Sequence, residues 1–198
     1  DSNEENTQPM KTSLDAGNVA GLRAIADALT VYRAISGLPM ILALCLEWLP
    51  IASLLLLLGG LSDIADGWFA RRAGGGTNWG AHLDPLSDKL LLLAPLIWLG
   101  SRAVLPVWAI WILISRELLV SGWRAKAPKG GPASLGGKTK TTLQFISLQL
   151  LIWPYSWGGI PLAQTLHQLG WLIFWPSLLL ALISGMRYLN PLSKPDQK

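Results

Sequence analysis

Four aspartates, Asp63, Asp66, Asp84 and Asp88, lie within one short stretch of an otherwise apolar chain. Asp63 and Asp66 are three residues apart and Asp84 and Asp88 four apart, so on helices each pair shares one face. Carboxylates gathered in this way repel one another, and an apolar setting makes each of them costly unless it is paired or metal-bound. One or two hard divalent cations with oxygen ligands, magnesium or manganese, answer that cost. A two-ion site of this kind suits phosphoryl transfer, where it stabilises both the attacking and the leaving oxygen. The neighbouring residues fit the same chemistry. Gly67 lets a bulky ligand approach the backbone, Ala70 is small, and Arg71 carries a planar fork matched to phosphate oxygens.

The elements that must position these groups are helices in a bilayer. Of 198 residues, 51% are hydrophobic and 14% charged, against roughly 25% charged in an average soluble domain. Six apolar runs, at about 29–48, 50–71, 84–101, 104–124, 141–157 and 168–189, are each of a length to span. A helix from about Val19, with Arg23 and Asp27 between its apolar residues, is expected to lie in the interface before the first span. The fold class expected is therefore all-α integral membrane: six transmembrane helices, an N-terminal amphipathic interfacial helix, and both termini cytoplasmic. With that orientation only Arg102 of the 16 Lys and Arg falls on the outer side. The membrane domain covers 18–190, between a disordered polar tail at 1–17 and a polar C-terminal tail at 191–198. Within it, Asp84-Pro85 reads as an N-cap and first helical residue, and the glycines Gly74, Gly75, Gly76 and Gly80 as the turn before that helix. Cys45, in an apolar run, is expected to be a small buried hydrophobe. The formal charge of +4 follows from membrane topology rather than from a continuous basic face, so nucleic acid is not an expected partner.

The stretch from Asp63 to Asp88 resembles the signature of the CDP-alcohol phosphotransferases, D-x2-D-G-x2-A-R-x8-G-x3-D-x3-D, and matches every fixed position: Asp63, Asp66, Gly67, Ala70, Arg71, Gly80, Asp84 and Asp88. The resemblance implies transfer of a phosphatidyl group from CDP-diacylglycerol to an alcohol, with release of CMP. It implies that Asp63, Asp66, Asp84 and Asp88 ligate the metals and that Asp88 is also the general base. It implies a CDP site made of Thr30, Asp63, Gly67, Ala70, Arg71 and Gly80. A homodimer, a bacterial-type inner membrane and a cytoplasm-facing active site are implied in the same way.

Two further segments bear on the acceptor. SRELLVSGWR at 115–124 places Arg116 and Glu117 near mid-span with Arg124 downstream, and GGKTKTTLQ at 136–144 carries Lys138 and Lys140. Cations at these span ends suit an acceptor that bears its own phosphate. The segments resemble the branch of the family that makes phosphatidylglycerophosphate. The implied acceptor is sn-glycerol 3-phosphate, bound by Arg116, Arg124, Lys138 and Lys140. A structural intramembrane role for Arg116 and Glu117 is the alternative, although adjacent helical residues point about 100° apart and need other partners. A sister enzyme using inositol phosphate or phosphatidylglycerol is the alternative within the family. A divalent-cation transporter is the alternative outside it, weakened because the acids gather at one membrane face and the chain shows no internal repeat.

Overall fold

The computed structural model describes residues 8–72, 78–126 and 135–189. Six helices account for nearly all of them: α1 (Gln8–Cys45), α2 (Leu49–Arg72), α3 (Asn78–Ser101), α4 (Val107–Lys126), α5 (Leu135–Leu151) and α6 (Gly159–Leu189). No strand occurs among the described residues. The helix count matches the six apolar runs, while several boundaries differ from those expected.

The expected break between an interfacial helix and the first span is absent: α1 is continuous over 38 residues, about 57 Å at 1.5 Å per residue. It begins inside the segment expected to be a disordered tail, with Pro9 in its first turn, where a missing N–H costs nothing. The alanines at 20, 24, 26 and 28 then carry the helix through the expected junction. Helix α3 starts at Asn78, so Asp84 and Pro85 lie inside it and do not form its start. Helix α5 runs from Leu135 to Leu151, shifted toward the N-terminus from the expected 141–157. Helix α6 takes in the segment IPLAQTLHQ that reads as a connection, because Pro161 again falls within a first turn.

Among the described residues, three stretches are long and apolar enough to cross a membrane: Val19–Cys45, Leu49–Phe69 and Gly159–Met186, with mean hydropathy of 1.6, 1.6 and 1.8; Lys89–Ser101 is a shorter apolar segment. Large apolar side chains such as Ile35, Leu38, Ile64, Trp111, Leu119 and Leu172 point outward. That is the surface of a protein solvated by lipid. Cys45 is exposed as well, beside the exposed Leu46 and Trp48 at the end of α1, which corrects the expectation that it is buried.

The chain divides into two compact units, Asp1–Gly37 with Leu58–Leu91, and Leu38–Leu57 with Leu92–Lys198. In the second, small residues set the helix approaches. A Cβ at Gly170 would lie 2.9 Å from both the Ser147 carbonyl oxygen and Leu150 Cβ, so α6 packs on α5 at backbone distance, and Ser147 Oγ donates to the Gly170 carbonyl at 2.7 Å. Gln149 of α5 donates to Ser53 Oγ of α2. The core of this unit includes Met40, Leu44, Leu56, Leu99, Leu148 and Phe174. Two of its turns end helices in a left-handed residue that is not glycine, Glu47 (φ 60°) after α1 and Ala103 (φ 56°) after α3. Each is closed by a bond reaching five residues back, Trp48 N–H to Ala43 O (2.8 Å) and Val104 N–H to Leu99 O (3.0 Å), the pattern of a Schellman cap. An ion pair from Arg102 to Glu47 joins the two turns.

Candidate active site

The first unit carries the acidic stretch. Leu91 of α3 occupies the space that a side chain at Gly59 of α2 would need, so the two helices meet there. Gly59 lies thirteen residues before the end of α2 at Arg72, and Leu91 thirteen residues after the start of α3 at Asn78. Asp63 is four residues past Gly59 and Asp88 three before Leu91, about 6 and 4.5 Å along the axes. Asp66 and Asp84 are both seven residues from the contact, about 10.5 Å. Each aspartate thus lies within about two turns of the Gly59–Leu91 contact along its own helix.

Asp63 has the described carboxylate among the four; its side chain is 50% exposed. Ser62 beside it is buried and donates to the Gly59 carbonyl at 2.7 Å, turning its hydroxyl back onto α2. Arg33 of α1 donates through Nη1 to Asp63 Oδ1 and is 1% exposed. Thr30, one turn earlier on α1, is also buried, and Ser36, one turn later, donates to the Arg33 carbonyl at 2.9 Å. Gly37 completes this face, where a Cβ would come within 3.1 Å of the Leu90 carbonyl oxygen of α3. Gly67 sits one turn beyond Asp63 and is partly exposed. The side chains of Asp66, Ala70, Arg71, Asp84 and Asp88, and the glycines Gly74, Gly75 and Gly76, lie outside the described residues, while Gly80 falls within α3 and not in the turn before it. Among the described residues no three of His, Cys, Asp or Glu stand together, and Asp63 contributes a half-exposed carboxylate, an oxygen ligand of the kind a hard divalent cation takes.

Arg33 was not among the expected site residues; it counted only as a cytoplasmic-side cation. The signal that finds it is its place in an apolar run, three residues after Thr30, because an arginine there needs a partner.

A second charged cluster lies in the other unit. Arg116 of α4 donates from Nε to the Ala181 carbonyl (2.7 Å), from Nη2 to Ser184 Oγ (2.6 Å) and from Nη1 to Glu117 Oε1 (2.8 Å). Lys140 of α5, 4% exposed, donates to the same Glu117 oxygen. Gly185 allows this, since a Cβ there would come within 3.1 Å of the Arg116 side chain. Of the four expected acceptor ligands, Arg116 and Lys140 are thus brought together through Glu117, with every Arg116 nitrogen bonded inside the protein. The side chains of Arg124 and Lys138, and the connection 127–134, lie outside the described residues.

The family model described as CDP-alcohol phosphatidyltransferase matches residues 23–183, a span that contains the acidic stretch, Arg33 and the Glu117 cluster. The chain belongs to the CDP-alcohol phosphatidyltransferase family. Among relatives in this family, a Bacillus subtilis protein named CDP-diacylglycerol–glycerol-3-phosphate 3-phosphatidyltransferase is 33% identical over 154 residues, covering 73% of this chain and 76% of its own. A Rickettsia bellii protein of the same name is 32% identical over 177 residues, 86% of this chain and 96% of its own. A Mycobacterium tuberculosis protein named as a probable phosphatidylglycerophosphate synthase is 35% identical over 130 residues, 65% of this chain and 59% of its own. In this CDP-alcohol phosphatidyltransferase, α2 carries Asp63 and Asp66, and α3 carries Asp84 and Asp88.

Proposed function

We propose that the chain transfers the phosphatidyl group of CDP-diacylglycerol to sn-glycerol 3-phosphate, yielding phosphatidylglycerophosphate and CMP. The observation that carries this is the family-model match over residues 23–183, which takes in the whole stretch from Asp63 to Asp88. The names of the relatives support the choice of acceptor. Asp63, Asp66, Asp84 and Asp88 hold one or two magnesium or manganese ions, which when bound polarise the diphosphate and offset charge on the departing CMP. Thr30, Gly67, Ala70, Arg71 and Gly80 cradle the CDP group, with Asp63 at its edge. Asp88 takes the proton from the primary hydroxyl of the acceptor as that oxygen bonds to the phosphatidyl phosphorus. The bond from this phosphorus to the CMP oxygen breaks, and CMP leaves with the electron pair.

Arg124 and Lys138 bind the acceptor phosphate, while Arg116 and Lys140 act on it through the frame that they build with Glu117. The enzyme spans the inner membrane six times as a homodimer, with both termini and the active site on the cytoplasmic side. The test is release of CMP from CDP-diacylglycerol by purified protein with magnesium or manganese, across a panel of acceptors. Release is expected with sn-glycerol 3-phosphate. Release only with inositol phosphate or phosphatidylglycerol overturns the acceptor, and no release with any acceptor overturns the reaction.

A further inference from the structure

Among the described residues of the first unit, Arg33 is the most deeply buried large side chain, and it lies on α1 rather than on α2 or α3, which carry the aspartates. An arginine that serves only as a topology anchor reaches toward headgroups or water. Arg102 shows the contrast, with its guanidinium half exposed in a surface pair with Glu47. Arg33 instead reaches α2 and engages Asp63 Oδ1 through Nη1. Its backbone is held on both sides: Ser36 donates to its carbonyl, and Gly37 presses α1 onto the α3 backbone at Leu90, two residues from Asp88. The guanidinium is thus buried against the carboxylate. It takes one oxygen of a group whose outer side is open.

We propose that Arg33 is a positioning residue of the metal centre, holding Asp63 through Oδ1 so that the other carboxylate oxygen is presented to the cation. This rests on the reading of the four aspartates as metal ligands. It makes α1 a third wall of the centre and Arg33 the outer hydrogen-bonding partner that orients a ligating carboxylate. Lysine does not replace it, since a point charge on a flexible stem lacks the planar fork that fixes the carboxylate rotamer.

The test is manganese binding by the full chain in nanodiscs, read from the spin-resonance signal of free ion, for wild type, Arg33→Lys and Arg33→Gln, alongside unfolding of each metal-free protein. Manganese affinity is expected to fall about 10- to 100-fold in both variants. Turnover is expected to recover as manganese is raised, with the KM for sn-glycerol 3-phosphate unchanged. A residue that only packs gives no such recovery. Affinity within twofold of wild type, or tighter, in a folded variant overturns the inference alone. If wild type binds no manganese, the metal-centre reading fails with it. If neither of these variants folds, Arg33→His, which keeps a donor in a smaller side chain, is read in the same way: a fall in manganese affinity supports the inference, and affinity within twofold of wild type overturns it.

Discussion

Asp88 and Glu117 are both acids in apolar helices, and they have different work. Asp88→Asn is expected to lower kcat by about 10²- to 10⁴-fold, the usual span for loss of a general base, while manganese binding is partly retained by the other three aspartates. Steady-state kinetics with a parallel binding measurement check this. Glu117 receives Lys140 and Arg116 in a part-buried cluster. Glu117→Gln leaves two cations facing each other with one charge removed, and is expected to cost about 3 kcal/mol in unfolding measurements. Lys138→Ala is expected to raise the KM for sn-glycerol 3-phosphate about tenfold with kcat little changed; unchanged kinetics remove Lys138 from the acceptor site. The acids were legible in the sequence because charge is scarce there. Arg33 was not, because a cation near a span end has an ordinary explanation in topology, and only its 1% exposure and its partner on another helix distinguish it.

At the scale of elements, small residues at crossings and caps decide geometry. Gly170→Ala places a methyl against the backbone oxygen of Ser147 and is expected to destabilise the α5–α6 pair by about 1–3 kcal/mol, measured by unfolding in detergent. Helix number and type were readable from apolar runs and turn residues. Boundaries were not. Asp84-Pro85 has the signature of a helix start, yet proline within a helix removes one hydrogen bond, and the preceding turn from Asn78 continues through it. Pro161 is the reverse case, a proline in a stretch that reads as a connection and that stands in the first turn of α6. A proline marks where a first turn is easy and does not prove where it lies.

For the whole molecule, Cys45 is the single cysteine and is exposed at the end of α1, so it reports topology directly. With six spans and a cytoplasmic N-terminus, a membrane-impermeant maleimide is expected to label Cys45 from the outer side of sealed vesicles and to fail from the inner side. Labelling from the inner side reverses the orientation. Composition and periodicity alone determined that the chain is helical and membrane-embedded, since 14% charge leaves no other solvent for so much apolar surface, and they placed the acids in one stretch. The resemblance to the family was legible in the motif, because eight fixed residues at fixed spacing are local information carried along one chain, and the family-model match over 23–183 bears it out. Pairings between helices were decided only in three dimensions. Arg33 and Asp63 are thirty residues apart, and Arg116 and Ser184 sixty-eight. Helix periodicity says which face a residue occupies, but the partner across that face depends on where small residues such as Gly37, Gly59 and Gly170 let two backbones meet.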